Sequence, residues 1–359
     1  MNFDLSEEQE MFCASVERFA APIDVEARRK LRLSPTGYDR ARWQDLAELG
    51  LITLAAPEEA GGIGGSPVDL VLVHEAIGKA NAPDPLLEHG VLPARLLEGH
   101  EAFESVLSGE RIATLAWAER SQRYSLKPAG VTAEESGDGF IVTGEKTFVL
   151  GGLLADLFIV TARLYGETAV FAVSADTPGM ETRAYRLTDG SIASELRLTR
   201  VAVDASARLD HDAASQEHIV STIRLCAAAE LVGLGQRLLD DTLAFVKERE
   251  QFGVAIGTFQ ALQHRLVEAY ARLEQSRSML YRAALSNPSS RTEWARATAG
   301  AKAFITENVD AIAREAVQMH GGMGITADLA IGHAMKRALV LGRLFGDTES
   351  ALAEYAEAA

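Results

Sequence analysis

The sequence predicts a multidomain α+β chain with a helical N-terminal domain, a small middle β-barrel and a C-terminal four-helix bundle. Two observations carry that prediction. Residues 1–110 and everything after 210 place apolar residues at helical spacing, whereas 111–210 breaks into short β-rich runs separated by Gly, Asp, Ser and Pro. The order of helices, strands and helices implies separate domains rather than alternating βαβ units. At 359 residues the chain also exceeds what one simple core organises. The expected domains are therefore 1–110, 111–210 and 211–359.

In the first domain, Ser6 followed by Gln9 reads as a capping box opening a helix with Met11, Phe12, Val16 and Phe19 on one face. Trp43, Leu46, Ala47 and Leu51 repeat the helical pattern, and Gly50 marks its stop. The Gly-rich stretch APEEAGGIGGSP at 56–67 can be read as a phosphate cradle or as a plain connection between helices. No strand precedes it and no Lys-Ser/Thr follows, which favours the connection. VDLVLVHEAIGKA at 68–80 is a further amphipathic helix.

The strand candidates are IATLAWA, GVTAEE, GFIVTGEKTFVLGG, DLFIVTARL, TAVFAVSA and SELRLTRVAV. Short strands at this spacing suit a barrel or sandwich. No GxGxxG follows any of them, which argues against a dinucleotide-binding βαβ unit. The last domain offers four long helical runs beginning at about Gln216, with Gly321-Gly322 as the stop of the third and the tail from Asp328 as the fourth.

Net charge is −16, which argues against a nucleic-acid binder, whose affinity needs clustered Lys and Arg. Cys13 and Cys226 stand far apart in apolar helical patterns and read as core residues in a reducing compartment. The acidic start MNFDLSEEQE lacks a secretory h-region, and no apolar run is expected to span a bilayer. The expected location is cytoplasmic, away from membranes. His264, His320 and His333 are too scattered for a metal site.

REQFGVAIGTFQ at Arg249–Gln260 and QMHGGMG at Gln318–Gly324, joined by long helical runs, resemble the C-terminal domain of the acyl-CoA dehydrogenases. FDLSEEQ, LAELGL, PEEAGGIGG and HEAIGKA look like the N-terminal domain of the same family. The resemblance runs nearly end to end. It implies FAD, an acyl-CoA substrate, electron-transfer flavoprotein as acceptor, and subunits pairing through their bundles. By that resemblance Arg249 meets the FAD pyrophosphate, Phe252 its adenine end, Gln260 the cofactor, and Gln318 and Gly322 the adenosine portion of a partner's FAD. Phe148 and Leu150 take the flavin-bordering places, Thr348 lies near FAD, and Arg224 is a substrate-side residue.

Several matching positions depart from the family. The Thr-Glu-Pro loop with its following Gly-Ser-Asp appears as Ala118-Glu119-Arg120 followed by SQRYSL, and Leu150 replaces a Thr. Desaturation needs a base for the α-proton, ordinarily a carboxylate with its pKa raised by burial. LFGDTES at 344–350 places Gly346 where most of the family has that Glu, and Ile223 fills the minority seat before Arg224. Two carboxylates remain as candidates. Glu230 lies two turns along the helical face from Ile223, either as base or as an ion-pair partner for Arg224 or a bundle Lys or Arg. Asp347 is adjacent to the empty seat, with helix capping or ribose contact as its other reading. Asp328 reads as a surface or capping residue. The short length and LFGD tail look most like bacterial subunits of α2β2 heterotetramers acting on steroid side-chain thioesters, with a homotetramer as the other assembly. Three activities follow: an FAD-dependent acyl-CoA dehydrogenase subunit in lipid or sterol breakdown, a non-catalytic subunit completing a partner's FAD site, and a flavin oxidase or hydroxylase.

Overall fold

The computed structural model describes residues 5–20, 25–122 and 124–357. The start of FDLSEEQ and Arg123 of SQRYSL lie outside the described residues. Two compact units result: Met1–Lys30, Pro67–Pro83 and Arg224–Ala359 form one, and Leu31–Ser66 with Asp84–Ile223 the other.

The N-terminal helices are α1 (Glu7–Phe19), α2 (Val25–Leu33), α3 (Arg40–Glu48), α4 (Pro67–Ala80), α5 (Leu92–Leu96) and α6 (Phe103–Leu107). The Ser6–Gln9 capping box is formed in both directions and starts α1. Trp43 and Leu46 of α3 are fully buried, and Gly50 ends that stretch in the left-handed region. In the Gly-rich loop the amides of Gly61, Gly62, Ile63, Gly64 and Gly65 all donate to carbonyls of residues 53–58. With those donors satisfied internally the loop has no cradle for a phosphate.

Eight strands make one sheet: β1 (Ala113–Ala116), β2 (Thr132–Ser136), β3 (Gly139–Leu150), β4 (Leu157–Leu164), β5 (Glu167–Ser174), β6 (Met180–Arg186), β7 (Ile192–Asp204) and β8 (Arg208–Leu209). The order is β6-β7-β3-β2-β4-β5-β8, with β1 added parallel to β4. Phe140, Phe158, Phe171, Val142, Val160 and Leu196 belong to the core packed against it. The sequence reading has no strand at β6, because METRAYR is an exposed edge with no apolar alternation to reveal it.

The bundle contains α7 (Ala213–Glu248), a hairpin of β9 (Glu250–Gln251) and β10 (Val254–Ala255), α8 (Gln260–Ala284) and α9 (Arg291–His320). The expected fourth helix is instead two, α10 (Ala330–Leu341) and α11 (Thr348–Glu357). The break has a local cause: Phe345 and Gly346 adopt φ of 53° and 121°, outside any helix. Within α7, Ser215–Glu248 is long and apolar enough to cross a membrane by length and composition alone, and 94% of its most apolar 18-residue window is buried within the protein. Its close packing against α4 requires a glycine on each helix: a Cβ on Gly78 would lie 2.0 Å from the Glu230 carbonyl, and one on Gly233 2.0 Å from that of Glu75.

Candidate functional site

In the bundle unit, α7 ends just before Arg249, whose amide still bonds the Phe245 carbonyl and whose carbonyl accepts from Ile256. The short hairpin turns on Phe252 and Gly253, both at positive φ (56° and 82°), the geometry of a two-residue type I′ turn. Gly suits that conformation, whereas Phe is strained in it by order 1–3 kcal/mol. Phe252 is nonetheless 92% exposed, meeting the Phe259 ring edge-on. An exposed aromatic held in a strained turn is poorly explained by stability of the isolated chain. Gln260 opens α8 and is exposed, as is Gln318 in the last turn of α9. Gly321 ends α9 at φ 61°, and a Cβ on Gly322 would meet nothing. The rings of Phe245 and His320 stack at 4.2 Å, which brings the Arg249 and Gln318 segments to one end of the bundle. An open guanidinium, an open aromatic, two amides and an unobstructed glycine turn fit the adenine and diphosphate half of a flavin dinucleotide.

A second cluster forms at the α10–α11 break. Arg224 is 6% exposed and donates from Nε to the Phe345 carbonyl (2.7 Å) and from Nη1 to Glu354. Lys302 of α9 is fully buried and donates to the carbonyls of Gly342 (3.1 Å) and Gly346 (3.3 Å). Burial first, then the Arg224 charge, pushes its pKa down to about 7. Asp347 accepts from the Ser350 amide (3.0 Å) and so caps α11, with Thr348 half-buried as its first residue. Gly346 therefore sits in a turn whose carbonyls face two buried cations. Asp328, exposed ahead of α10, donates its amide to Thr326.

Glu230, the leading base candidate from sequence, is 2% exposed and has one oxygen on Arg337 Nε (2.8 Å) and the other on Arg337 Nη2 (3.3 Å). Its partner is thus Arg337 of α10, not Arg224. His74 of α4 is buried nearby in charge terms: burial, then Arg337, lowers its pKa to about 3, so it stays neutral.

In the sheet unit, Phe148 is half-buried at φ 54°, beside an irregularity in the β3–β7 register. Leu150 is buried, and its carbonyl accepts from Thr114 Oγ1 (2.7 Å). These two positions bring no hydroxyl of their own. Lys146 Nζ, also buried, donates to Thr161 Oγ1 (2.9 Å), the Trp117 carbonyl (3.1 Å) and Glu119 (2.8 Å). Burial pushes Lys146 down to about 8 against the pull of Glu119. Glu119 also accepts from the amides of Ala129, Gly130 and Val131. Burial raises its pKa, but Lys146 and those amides outweigh burial and hold it below the usual carboxylate value. The pair pins the 119–131 loop to β3.

The Gly151 turn after β3 is shaped by His89, which lies in a buried π-helical turn, Leu86–Val91. His89 Nδ1 donates to the Ala113 carbonyl (2.8 Å), and its Nε2 stands 1.9 Å from where a Cβ on Gly151 would be. Gly151 also has φ 62°. Gly151→Ala is expected to lower stability by about 3 kcal/mol, combining overpacking with left-handed backbone strain. A urea midpoint equal to wild type would refute this.

The sequence reading had no role for Lys302, Lys146, Glu119 as an ion-pair member, Glu354 or His89. For Lys302 a signal existed: it falls on the apolar stripe of Trp294, Thr298, Ile305 and Val309, where helical spacing demands a buried residue.

Comparison with known proteins shows the family of the chain. Family profiles match in succession: acyl-CoA dehydrogenase N-terminal domain over residues 6–92, middle domain over 114–201, and C-terminal domain over 213–359. "Acyl-CoA dehydrogenase IpdE2" of Mycolicibacterium smegmatis is 32% identical, over 95% of this chain and 96% of that one. Among solved structures, the ChsE4-ChsE5 complex from Mycobacterium tuberculosis superposes with a TM-score of 0.88 at 28% identity, covering 99% of this chain and 98% of that one. PigA with FAD and proline does so with a TM-score of 0.90 at 25% identity, over 99% and 98%. The three profiles together span nearly the whole chain, and the chain belongs to the acyl-CoA dehydrogenase family.

Proposed function

We propose that the chain is a subunit of an FAD-dependent acyl-CoA dehydrogenase that desaturates a fatty or steroid side-chain CoA thioester in the cytoplasm, within a heteromeric assembly. The observation that carries this reading is the joint exposure of Arg249, Phe252, Gln260, Gln318 and Gly322 at one bundle end. These residues would hold FAD, with Arg249 on the diphosphate and Phe252 on the adenine, while Phe148, Leu150 and Thr348 border the cofactor elsewhere. Bound FAD supplies the acceptor for the substrate's β-hydrogen as hydride. The side chains of this chain bind and orient: Arg224 toward the substrate, and Glu119 with Lys146 fixing the loop beside β3. Domains at 1–110, 111–210 and 211–359 divide these tasks, and electron-transfer flavoprotein is the proposed acceptor of the electrons.

The α-proton base is the part this chain does not offer at either family seat. Gly346 has no side chain, Ile223 is apolar, Glu230 is committed to Arg337 and Asp347 to a helix cap. That favours a second reading, a non-catalytic subunit completing a partner's FAD site. The heteromeric relative, a ChsE4-ChsE5 complex, supports a homologous subunit as partner in either case. The third activity, a flavin oxidase or hydroxylase, needs no such base and would be marked by oxygen consumption.

The test is the visible absorption spectrum of the purified chain, alone and co-expressed with a homologous subunit, before and after anaerobic addition of acyl-CoA. Flavin that bleaches in the chain alone supports the dehydrogenase. Flavin gained only on co-expression supports the second reading, and its absence in both preparations refutes the cofactor assignment. Arg249→Ala is expected to lower flavin content at least tenfold, since a charge-assisted phosphate contact contributes about 1.5–3 kcal/mol. Unchanged flavin per chain would count against Arg249.

A further inference from the structure

A cavity of about 940 Å³ opens between the last turns of α8, the first turns of α9 and Tyr355 of α11. It lies at the end of α8 away from Gln260 and the Arg249 segment, and the 25 residues of that helix separate its ends by about 36 Å. Met279, Ala283 and Ala297 give the cavity an apolar wall. Thr292 brings a hydroxyl with no partner among the described residues.

Two arginines set its charge. Arg282 is exposed and Arg296 half-buried, and neither has an ion pair or hydrogen bond among the described residues. Elsewhere in the bundle Arg265, Arg277, Arg314 and Arg337 each pair with an acid. Glu293 is the one acid among the described lining residues, and it accepts from the Asn287 amide (3.3 Å). On a chain of net charge −16, two cations left without acids on one cavity reverse the local sign.

Arg296 is also held in place. Its guanidinium lies over the Tyr355 ring, 4.8 Å from the centroid. One turn along α9, Gly300 lets that ring pack against the helix, since a Cβ there would stand 2.8 Å from Tyr355 Cδ2. A cation–π contact engages the face of the guanidinium and leaves its N–H edges free. A planar fork fixed in this way matches two oxygens of a phosphate.

We propose that this cavity binds a nucleoside phosphate, with its phosphates on Arg282 and Arg296 and its nucleoside against the apolar wall. Inorganic phosphate would leave most of the volume unfilled, whereas small-molecule ligands occupy pockets of about 300–1,000 Å³. The site does not depend on the dehydrogenase reading.

Calorimetry with ADP, adenosine and pyrophosphate tests it, on the chain alone and on the chain co-purified with a homologous subunit. ADP is expected to bind about tenfold or more tighter than either fragment in both preparations, because only ADP meets both the arginines and the wall. Arg296→Gln and Arg282→Gln should each weaken ADP about tenfold at unchanged circular dichroism. Arg282 is exposed and makes no bond to lose, so its variant keeps the test open should Arg296→Gln misfold. Arg249→Ala should leave ADP affinity as it is. Loss of ADP binding in Arg249→Ala but in neither cavity variant places the nucleotide at the other end of the bundle and overturns the proposal. Equal affinity for ADP and pyrophosphate overturns the nucleoside site, and failure of ADP to bind overturns it entirely. Binding to the chain alone but not to the assembly shows a face covered by another subunit and likewise overturns the ligand site.

Discussion

Arg337→Met is expected to destabilise the bundle by about 3–5 kcal/mol, the effect of leaving one charge of a buried pair without its partner. Glu230 is 2% exposed, and Arg337 bonds both of its oxygens across α7 and α10. Met keeps much of the arginine's volume, so the loss reports the uncompensated carboxylate rather than a cavity. The double variant Glu230→Leu with Arg337→Met should recover most of the stability, because replacing both charges by apolar groups is often neutral. Urea unfolding of the four species checks this, and a single variant as stable as wild type would sink the ion-pair account. The same proteins examine the catalytic alternative. If Glu230 serves the pair alone, Glu230→Gln should keep its turnover per folded molecule in the assembled enzyme. Loss of desaturation at full stability would return Glu230 to the role of base.

The stability difference between wild type and Lys302→Met is expected to shift by about 3 kcal/mol in favour of wild type as pH rises from 7 to 9.5, at 1.36 kcal/mol per pH unit. The sign follows from proton counts. In the folded protein Lys302 has a pKa near 7, below its ordinary 10.5. Between those values the unfolded chain binds a proton that the folded chain does not, so folding gains stability with rising pH. Below pH 7 both states are protonated and the difference is flat. Lys146, lowered to about 8, acts in the same direction over its own narrower window. It is present in both proteins and cancels in the difference. Denaturant midpoints across that range measure it, and parallel pH profiles for the two proteins would show that the buried amine does not titrate there.

The sequence by itself determined the architecture and singled out the family's motif segments, because both are local. Helical spacing, the Ser6–Gln9 box, the β-rich runs and the REQFG and QMHGGMG segments depend on neighbours a few residues apart. It did not reveal β6, whose exposed edge has no apolar face to leave a pattern. Tertiary structure alone decided the pairings: Glu230 with Arg337 rather than Arg224, Arg224 with Glu354 and the Phe345 carbonyl, and Lys302 beneath Gly346. It also set the backbone at Gly346, whose φ of 121° admits a glycine far more readily than a residue with a Cβ. The physical reason is common to these cases. Coulombic and hydrogen-bond partners of buried charges are chosen by which helices pack together, across separations of 44 to 130 residues that no local pattern encodes.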